Sequence, residues 1–487
     1  MNVDYHAILP ELILSGTILV VLVTDLFLPP RRKWVSMPVG LVGVVASLIA
    51  VLTLLGDERA TFGGAFVVDN FALLFKVIFL VAAIIVLAVS LSYFNQPGYY
   101  QGEYYFLLLT SFLGCLLMPS SRDLLMLFIS LELVSAPGFL MAAFRKWDVT
   151  GVEGGLKFFL IGVLSTAVML FGMSMIYGLT GGETRLDAVA QGLATLDPAQ
   201  ESLALASILF VVVGFAFKVS AFPFQFWAPD TYEGAPVPVA AFLAVASKAA
   251  GFAGLLQLMF VAFIGQHEFW VPIFAFLSVA TMTLGNLVAL KQTQVVRLLA
   301  YSGIAQSGYI LMTFALVTSD PSSNRSAFSA AVAYILIYGV MNIGAFAAVV
   351  AVSRRSSGVL IADFAGLVKI APLIAVGMAT FMISLAGIPP TGGFWGKLLI
   401  FRAAIDRGGS LGVGLAVVML INSVVSIGYY LAVPRQMFLR PTEDETPLRA
   451  PALVTAVVAV ATVAIVMIFI LPGAFARLAD LSTLVGG

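Results

Sequence analysis

Apolar segments of about 20 residues follow one another along the whole chain, and short polar connections separate most of them. The hydrocarbon core of a bilayer is about 30 Å thick, so a helix of about 20 apolar residues is long enough to cross it once. The pattern therefore predicts an all-α, polytopic membrane protein with fourteen spans, a single membrane domain over residues 1–487 and no soluble domain. We expect the spans, numbered from the N-terminus, at residues 8–28, 35–55, 69–92, 104–118, 123–143, 155–179, 203–228, 236–262, 268–290, 296–318, 327–352, 370–404, 411–433 and 451–475.

Spans 7 and 12 are predicted to be broken. Pro223 lies inside span 7, and span 12 contains Gly-Ile-Pro-Pro-Thr-Gly-Gly at residues 387–393. Proline has no amide hydrogen and its ring clashes with the preceding turn, so each helix should be interrupted there. Each break has a lysine close by, Lys218 in span 7 and Lys397 in span 12. Two interrupted spans in corresponding positions are typical of transporters that are built from repeated halves and bind their substrate near the middle of the membrane.

The composition agrees with a membrane protein and excludes several classes of function. Hydrophobic residues make up 61% of the 487 residues and charged residues only 10%, against about 25% in ordinary soluble domains. The formal net charge is zero, so a nucleic-acid partner is not expected. One cysteine and two histidines leave too few ligands for an iron–sulfur cluster or a zinc site. Because the sequence also lacks a phosphate-binding loop and a dinucleotide fingerprint, we expect no cofactor or metal in this chain.

The positions of the positive charges indicate how the chain is oriented. Basic residues follow the first apolar run rather than precede it, so this run is expected to be kept as span 1 and not cleaved as a signal peptide. The loops after odd-numbered spans carry about twice as many Lys and Arg residues as the loops on the other side, and positively charged loops face the cytoplasm. We therefore expect both termini on the outer, periplasmic side of the membrane.

After the Lys and Arg residues in loops and near span ends are assigned to one side of the membrane, five basic residues remain without a suitable loop, and all five are lysines. A charged amine at the centre of a bilayer costs at least about 2.5 to 3.5 kcal/mol, so residues of this kind usually have a function. A buried lysine can release its proton near neutral pH, whereas arginine stays charged. For Lys157, snorkelling of the amine to the interface is an alternative explanation, and for Lys76 the alternatives are helix packing and snorkelling. The five residues are Lys76, Lys157, Lys218, Lys248 and Lys397.

Five motifs follow one another along nearly the whole chain: Ser130–Leu133, Gly154–Leu160, Phe215–Pro236, Leu298–Tyr309 and Gly387–Lys397. Together they resemble the antiporter-like subunits of proton-pumping NADH:quinone oxidoreductase (respiratory complex I). Within this family the chain resembles the N-type subunits. Its span 12 carries Lys397 in Gly-Phe-Trp-Gly-Lys, where an M-type subunit is expected to have glutamate, and the long lateral helix of an L-type subunit is not expected after span 14.

The resemblance implies an architecture of two inverted five-helix repeats. The first repeat would comprise spans 4–8 in residues 104–262, and the second would comprise spans 9–13 in residues 268–433. Spans 1–3 in residues 1–103 would precede them, and span 14 in residues 451–475 would follow. A hydrated axis of charged side chains is expected to run along the middle of the membrane.

The resemblance also implies which residues carry protons. Glu132 in span 5 is expected to pair with Lys218, Lys248 is the linking lysine of span 8, and Lys397 is the terminal lysine of span 12. Lys157 is a further candidate, for which snorkelling remains equally open.

One position departs from the family pattern. Gln306 stands in the span 10 motif where the family often has histidine. A glutamine side chain cannot hold a proton as imidazolium does, so a proton relay at this point would need water or the neutral amide.

By resemblance, the chain is expected to be a proton-translocating subunit in the membrane of a bacterium. NADH, flavin, iron–sulfur clusters and quinone are expected in partner subunits, with no redox chemistry in this chain. Two alternatives stay open at this point. The chain could be a subunit of a multi-chain sodium/proton antiporter, since these share the motifs, or a structural membrane anchor that carries no ions.

Overall fold

The computed structural model describes residues 3–94, 101–353, 359–442 and 446–480. The described part is almost entirely helical and confirms the all-α, multi-pass membrane fold. Twelve of its helices are long and apolar enough to cross a bilayer. The two remaining predicted spans are also present as helices: span 10 is the helix Val295–Phe314, and span 12 is divided into Pro372–Ala386 and Gly392–Arg407.

The helices follow the predicted limits of the spans closely. In chain order they are α1 (Leu9–Phe27), α2 (Ser36–Leu52), α3 (Asn70–Phe94), α4 (Gln101–Leu117), α5 (Leu124–Ala142), α6 (Val149–Leu179), α7 (Leu186–Ala194), α8 (Glu201–Lys218), α9 (Trp227–Gly234), α10 (Val237–Phe242), α11 (Lys248–Gln257), α12 (His267–Ala289), α13 (Val295–Phe314), α14 (Pro321–Ser353), α15 (Leu367–Ile370), α16 (Pro372–Ala386), α17 (Gly392–Arg407), α18 (Gly409–Leu439), α19 (Ala452–Ile470) and α20 (Pro472–Asp480).

Short elements complete the described structure. Strands β1 and β2 form an antiparallel hairpin between α2 and α3, in which Arg59 lies opposite Val68. The strands are β1 (Arg59–Thr61) and β2 (Phe66–Val68), and the 3₁₀ turns are Pro30–Val35, Phe62–Gly64, Met118–Ser120, Pro198–Gln200, Ile264–Gln266 and Ile361–Phe364.

The break in span 7 lies where the prolines of the sequence predict it. Helix α8 ends at Lys218, and the chain becomes helical again only at Trp227, the first residue of α9. Between them, Ser220 has a positive φ of 59° and the peptide bond between Phe222 and Pro223 is cis. Pro223 cannot donate a helical hydrogen bond, so the backbone groups of this segment need other partners. The amide of Phe222 finds one in the Thr281 hydroxyl of α12, at 2.9 Å.

The break in span 12 is similarly confirmed. Helix α16 ends at Ala386, and Gly387 takes a left-handed conformation with a φ of 83°. This is a common way to end a helix, and glycine adopts it without steric cost. Pro389 and Pro390 are joined by a cis peptide bond, after which α17 begins at Gly392.

Span 8 is the central helix of the described structure. Residues 237–260 are all buried, and its most apolar window of 18 residues is completely enclosed. In contrast, only 22% of the corresponding window of α19 is buried. Two π-helical turns, Leu243–Ser247 and Leu258–Ala262, interrupt the α-helical hydrogen bonding of span 8. Turns of this type occur frequently at functional sites, and Lys248 directly follows the first.

Candidate functional site

Lys218 is buried at the end of α8, and its side chain is held by two neighbouring helices. The residue is 1% exposed, and its Nζ donates a hydrogen bond of 2.9 Å to the hydroxyl of Ser135 on α5. On the other side, Gly251 of α11 lies against the aliphatic part of the lysine. A Cβ atom added to Gly251 would come within 2.9 Å of Lys218 Cγ. The absence of a side chain at Gly251 therefore makes room for Lys218.

Glu132 lies on α5, three residues before Ser135, but the amine of Lys218 bonds to the serine hydroxyl and not to the carboxylate. The Glu132 side chain is half-buried and faces Thr166 as well as Lys218. The expected pairing of Glu132 with Lys218 is thus an interaction at longer range in this structure, without a direct ion pair. The reason is that Ser135 lies one helical turn after Glu132 on the same face of α5, within reach of the amine.

Lys248 is the first residue of α11, immediately after the π turn Leu243–Ser247. It is 1% exposed, and its Nζ lies 3.4 Å from the hydroxyl of Ser307 on α13, a long hydrogen bond. Gly303, one turn earlier on α13, allows this approach. A Cβ atom at Gly303 would lie 3.0 Å from Lys248 Nζ and 2.9 Å from the hydroxyl of Tyr338.

Lys397 lies on α17 and reaches back across the break in its own span. Its Nζ donates a hydrogen bond of 2.9 Å to the carbonyl oxygen of Ala386, the last residue of α16. The last carbonyls of a helix have no partner within the helix, so the amine occupies one of these free acceptors. Nζ also lies 4.8 Å from the centre of the Tyr309 ring, within the range of a cation–π interaction. Gly387 is again adjacent, since a Cβ there would come within 2.6 Å of Lys397 Cδ.

Gln306 is buried at the centre of a cluster of hydroxyl groups. Its Nε2 donates to the Leu385 carbonyl at 3.0 Å and to the Tyr430 hydroxyl at 2.9 Å. Its Oε1 accepts a hydrogen bond from the Tyr334 hydroxyl. Tyr430 in turn lies 2.5 Å from the hydroxyl of Ser302. Both ends of the amide are therefore held, and the orientation of Gln306 is fixed by three separate helices.

This cluster connects the surroundings of Lys248 with those of Lys397. Ser307, the partner of Lys248, is the residue after Gln306, and Leu385, a partner of Gln306, is the residue before Ala386. The sequence pointed to Gln306 but not to Tyr334 and Tyr430. The signal that could have identified them is that a buried tyrosine usually needs a hydrogen-bond partner.

Lys157 lies apart from the three buried lysines. Its side chain is 42% exposed, and Nζ forms ion pairs with Glu153 at 2.5 Å and with Asp230 of α9 at 2.7 Å. Arg297 of α13 approaches the same Asp230 at 2.9 Å and also Glu233 at 2.5 Å. Lys157 thus belongs to a half-exposed network of charges at the end of the bundle, and the sequence reasoning did not identify Asp230, Glu233 or Arg297.

Lys76 provides a contrast to these residues. Its side chain is completely buried, and Nζ forms an ion pair of 2.8 Å with Glu11 of α1, whose side chain is 7% exposed. The amine also lies 4.7 Å from the centre of the Phe66 ring. Because Lys76 is buried, its amine does not snorkel to the interface, and the ion pair with Glu11 makes it part of the packing of α3 against α1. In the described part of the chain, no three His, Cys, Asp or Glu side chains lie together as metal ligands would.

Comparisons with known proteins agree with this arrangement. The family described as NADH:quinone oxidoreductase/Mrp antiporter, transmembrane, matches residues 121–425. NADH-quinone oxidoreductase subunit N of Trichlorobacter lovleyi is 38% identical over 445 residues, which cover 91% of this chain and 89% of that protein. The subunit of the same name from Moorella thermoacetica is 40% identical over 470 residues, which cover 96% of this chain and 95% of that protein.

A solved structure is similar over the same length. A chain of respiratory complex I from Thermus thermophilus with bound aureothin is 31% identical, with a TM-score of 0.79, and the match covers 97% of this chain and 99% of that chain. The family match includes both breaks, Glu132 and the lysines at 218, 248 and 397. The resemblance inferred from the motifs is therefore confirmed, and the chain belongs to the NADH:quinone oxidoreductase/Mrp antiporter family of membrane subunits.

Proposed function

We propose that this chain carries protons across a bacterial cell membrane as an N-type subunit of NADH:quinone oxidoreductase. The observation that supports the proposal most directly is the environment of three buried lysines. Lys218, Lys248 and Lys397 each direct Nζ at a neutral oxygen, and none of the described carboxylates forms an ion pair with these amines.

A neutral partner suits an amine that gains and loses a proton. A permanently charged lysine in a low-dielectric interior needs an opposite charge, because leaving it unpaired costs several kcal/mol. Lys76, paired with Glu11, meets this requirement. A neutral amine still carries two N–H groups, so a lysine Nζ can donate to a serine hydroxyl oxygen in either protonation state. The hydroxyls of Ser135 and Ser307 meanwhile keep donating to the backbone carbonyl four residues earlier in their own helices. Lys218 and Lys248 can therefore stay bonded to their serines in both protonation states.

The proton path would run from one break to the other. Lys218 takes up a proton from the inner side at the break in span 7, and Glu132 is its proposed acidic partner. The proton passes to Lys248 and then, by water and the hydroxyl cluster around Gln306, to Lys397. From the break in span 12 it leaves to the outer side.

The energies involved are compatible with this scheme. Moving one charge against a membrane potential of 100 mV costs roughly 2.3 kcal/mol. A hundredfold change in the proton affinity of a lysine corresponds to about 2.7 kcal/mol. A change in the electrostatic environment of Lys218 that is transmitted from a neighbouring subunit therefore needs to be only of this size.

The chain would act as part of a translocase whose redox chemistry lies in partner subunits. The lysines and hydroxyls of this chain supply proton transfer, whereas NADH, flavin, iron–sulfur clusters and quinone belong to the partners. Both termini are proposed to lie on the periplasmic side, because the loops after odd-numbered spans are the more basic ones. Two inverted repeats, spans 4–8 and 9–13, are proposed to relate the two broken helices.

The test is a lysine replacement in the assembled complex. Lys218→Ala should abolish NADH-driven proton pumping while the complex still assembles, because the amine is lost but no buried carboxylate loses a direct partner. Lys291→Ala removes an exposed lysine from the loop after α12 and serves as the control with normal pumping. Full pumping by Lys218→Ala would refute the role of this residue.

A second candidate is supported by the family description itself, which includes Mrp antiporters. In that case the chain would exchange sodium and protons in a complex of membrane subunits only. Purification in mild detergent distinguishes the two, since NADH-oxidising partners would identify the first function. A purely structural anchor would be indicated if transport survived replacement of Glu132, Lys218, Lys248 and Lys397 together.

A further inference from the structure

The half-exposed charges around Asp230 form a bridge between three helices. Asp230 on α9 binds Lys157 of α6 through Oδ2 at 2.7 Å and Arg297 of α13 through Oδ1 at 2.9 Å. One carboxylate thus joins a cation on span 6 to a cation on span 10. Each partner has a second acidic contact, Glu153 for Lys157 and Glu233 for Arg297. Asp230 is the residue in this network that contacts both cations.

The bridge holds the short segment that follows the break in span 7. Helix α9 has only eight residues, so its own hydrogen bonds fix it weakly. It packs closely on the start of α6, where Thr231 donates a hydrogen bond of 2.9 Å to the Gly154 carbonyl. A Cβ atom at Gly154 would come within 2.6 Å of the Asp230 carbonyl oxygen. Helix α9 is therefore seated against α6 without a side chain between them.

The same segment contacts the backbone next to Lys218. The indole of Trp227, the first residue of α9, donates a hydrogen bond of 3.2 Å to the carbonyl of Phe217. Its ring stacks on Phe158 of α6, with ring centres 4.1 Å apart and planes inclined by 16°. A displacement of α9 would consequently pull on the carbonyl of the residue immediately before Lys218.

We propose that Asp230 is a positioning residue for Lys218: by bridging Lys157 and Arg297 it holds α9, and through Trp227 it fixes the backbone at the break where Lys218 lies. The inference rests on the function proposed for Lys218. It gives Lys157 a role that differs from a place on the buried axis. Lys157 acts on the proton path by holding Asp230 and not by carrying protons itself.

Two substitutions of Asp230 distinguish the effect of its negative charge from the effect of its side-chain shape. Asp230→Asn keeps the shape and removes the charge, whereas Asp230→Glu keeps the charge and lengthens the side chain. We expect pumping by the full complex to fall about fivefold or more in Asp230→Asn, as expected for loss of partly exposed ion pairs, and to be largely retained in Asp230→Glu. Glu153→Gln removes an exposed acid from the same network and should pump normally.

Movement of α9 can be measured without any reference to pumping. Ala228 is completely buried on α9, and the single native cysteine, Cys115, is also completely buried. A cysteine at Ala228→Cys should react with a membrane-permeant maleimide about fivefold faster when Asp230→Asn is added. Adding Glu153→Gln should leave the rate unchanged. Because labelling does not depend on proton transport, it can fail or succeed independently of the function proposed for Lys218.

Three outcomes would overturn the proposal. The first is normal pumping together with unchanged labelling in Asp230→Asn. The second is loss of pumping with unchanged labelling, which would make Asp230 a proton carrier. The third is a larger loss in Asp230→Glu than in Asp230→Asn, which would mean that shape matters and charge does not. If the complex with Asp230→Asn does not assemble, Lys157→Met and Arg297→Gln replace it, because each removes one of the two ion pairs of Asp230. Unchanged labelling of Ala228→Cys in both variants would overturn the proposal.

Discussion

The amine of Lys397 donates a hydrogen bond to the carbonyl of Ala386, a residue on the opposite side of the break that interrupts span 12. A helix carries a partial negative charge at its C-terminus, so a cation is stabilised there. The lysine thus closes the end of α16 from the first turns of α17. The two halves of the broken span are connected by a group whose charge changes when it releases its proton.

This relationship predicts that proton pumping falls both when the amine is removed and when its positive charge is made permanent. Lys397→Met removes the proposed proton carrier, and Lys397→Arg holds a proton that it does not release. Both variants should lose about a hundredfold or more in NADH-driven proton uptake by vesicles, the lower end of the effect typical for one proton-transfer group. Arg402→Ala, which removes a largely exposed side chain from the same helix, should pump normally. Wild-type pumping by Lys397→Arg would argue against proton release at this site.

Gly251 should be sensitive to a single added methyl group. In Gly251→Ala the new Cβ would lie 2.9 Å from Lys218 Cγ, so the lysine side chain has to shift and its hydrogen bond to Ser135 should be disturbed. Overpacking of this kind costs about 1 to 3 kcal/mol, and we expect a several-fold loss of pumping per assembled complex. The matched control is Gly254→Ala, one turn later, whose Cβ would meet Phe215 and Met118. Equal effects of the two substitutions on pumping would show that Lys218 is not specifically involved.

Substitution of Lys76 should lower the stability of the complex and should not change proton transport. Lys76→Ala leaves Glu11 buried without its cation, and breaking a buried pair in this way costs about 3 to 5 kcal/mol. Yield and thermal stability of the complex should fall. The double replacement Lys76→Met with Glu11→Gln should recover most of the loss, since no charge is then left unpaired. A stable Lys76→Ala single variant would contradict the assignment of this ion pair to the fold.

Proton transfer between Lys248 and Lys397 should become slower when the hydroxyl cluster around Gln306 is damaged. Tyr430→Phe removes the hydroxyl that contacts both Gln306 and Ser302. Leaving a buried polar group without its partner costs about 1 to 3 kcal/mol, which corresponds to a drop of about 5- to 150-fold if this group lies on the rate-limiting path. Pumping kinetics of reconstituted complex measure the effect. Tyr105→Phe is the control, because that hydroxyl is buried without a hydrogen-bond partner in the described structure and lies outside the cluster.

Much of the architecture could be predicted because its causes are local. A run of about 20 apolar residues spans a membrane wherever it occurs. Proline and glycine at 223 and 387–393 interrupt a helix through their own backbone chemistry. The positions of Lys218, Lys248 and Lys397 within their spans follow directly from the same pattern.

The partners of these lysines depend on which helices face each other, and a single sequence does not contain this information. Lys218 and Ser135 are separated by 83 positions, and Asp230 lies 73 positions from Lys157. Periodicity indicates how deep a side chain lies in the membrane but not the direction in which it points. For this reason the partner expected for Lys218, Glu132, came from the family resemblance, and the nearby hydroxyl of Ser135 was missed.

The enclosure of span 8 by other helices determines how this protein responds to its surroundings. Lys248 lies on a helix that has no surface toward lipid over residues 237–260. Changes in acyl-chain length or headgroup composition consequently reach it only after passing through a complete layer of protein. The chemistry at this lysine should be nearly the same in thick and thin membranes, because no part of its helix has to match the thickness of the bilayer around it.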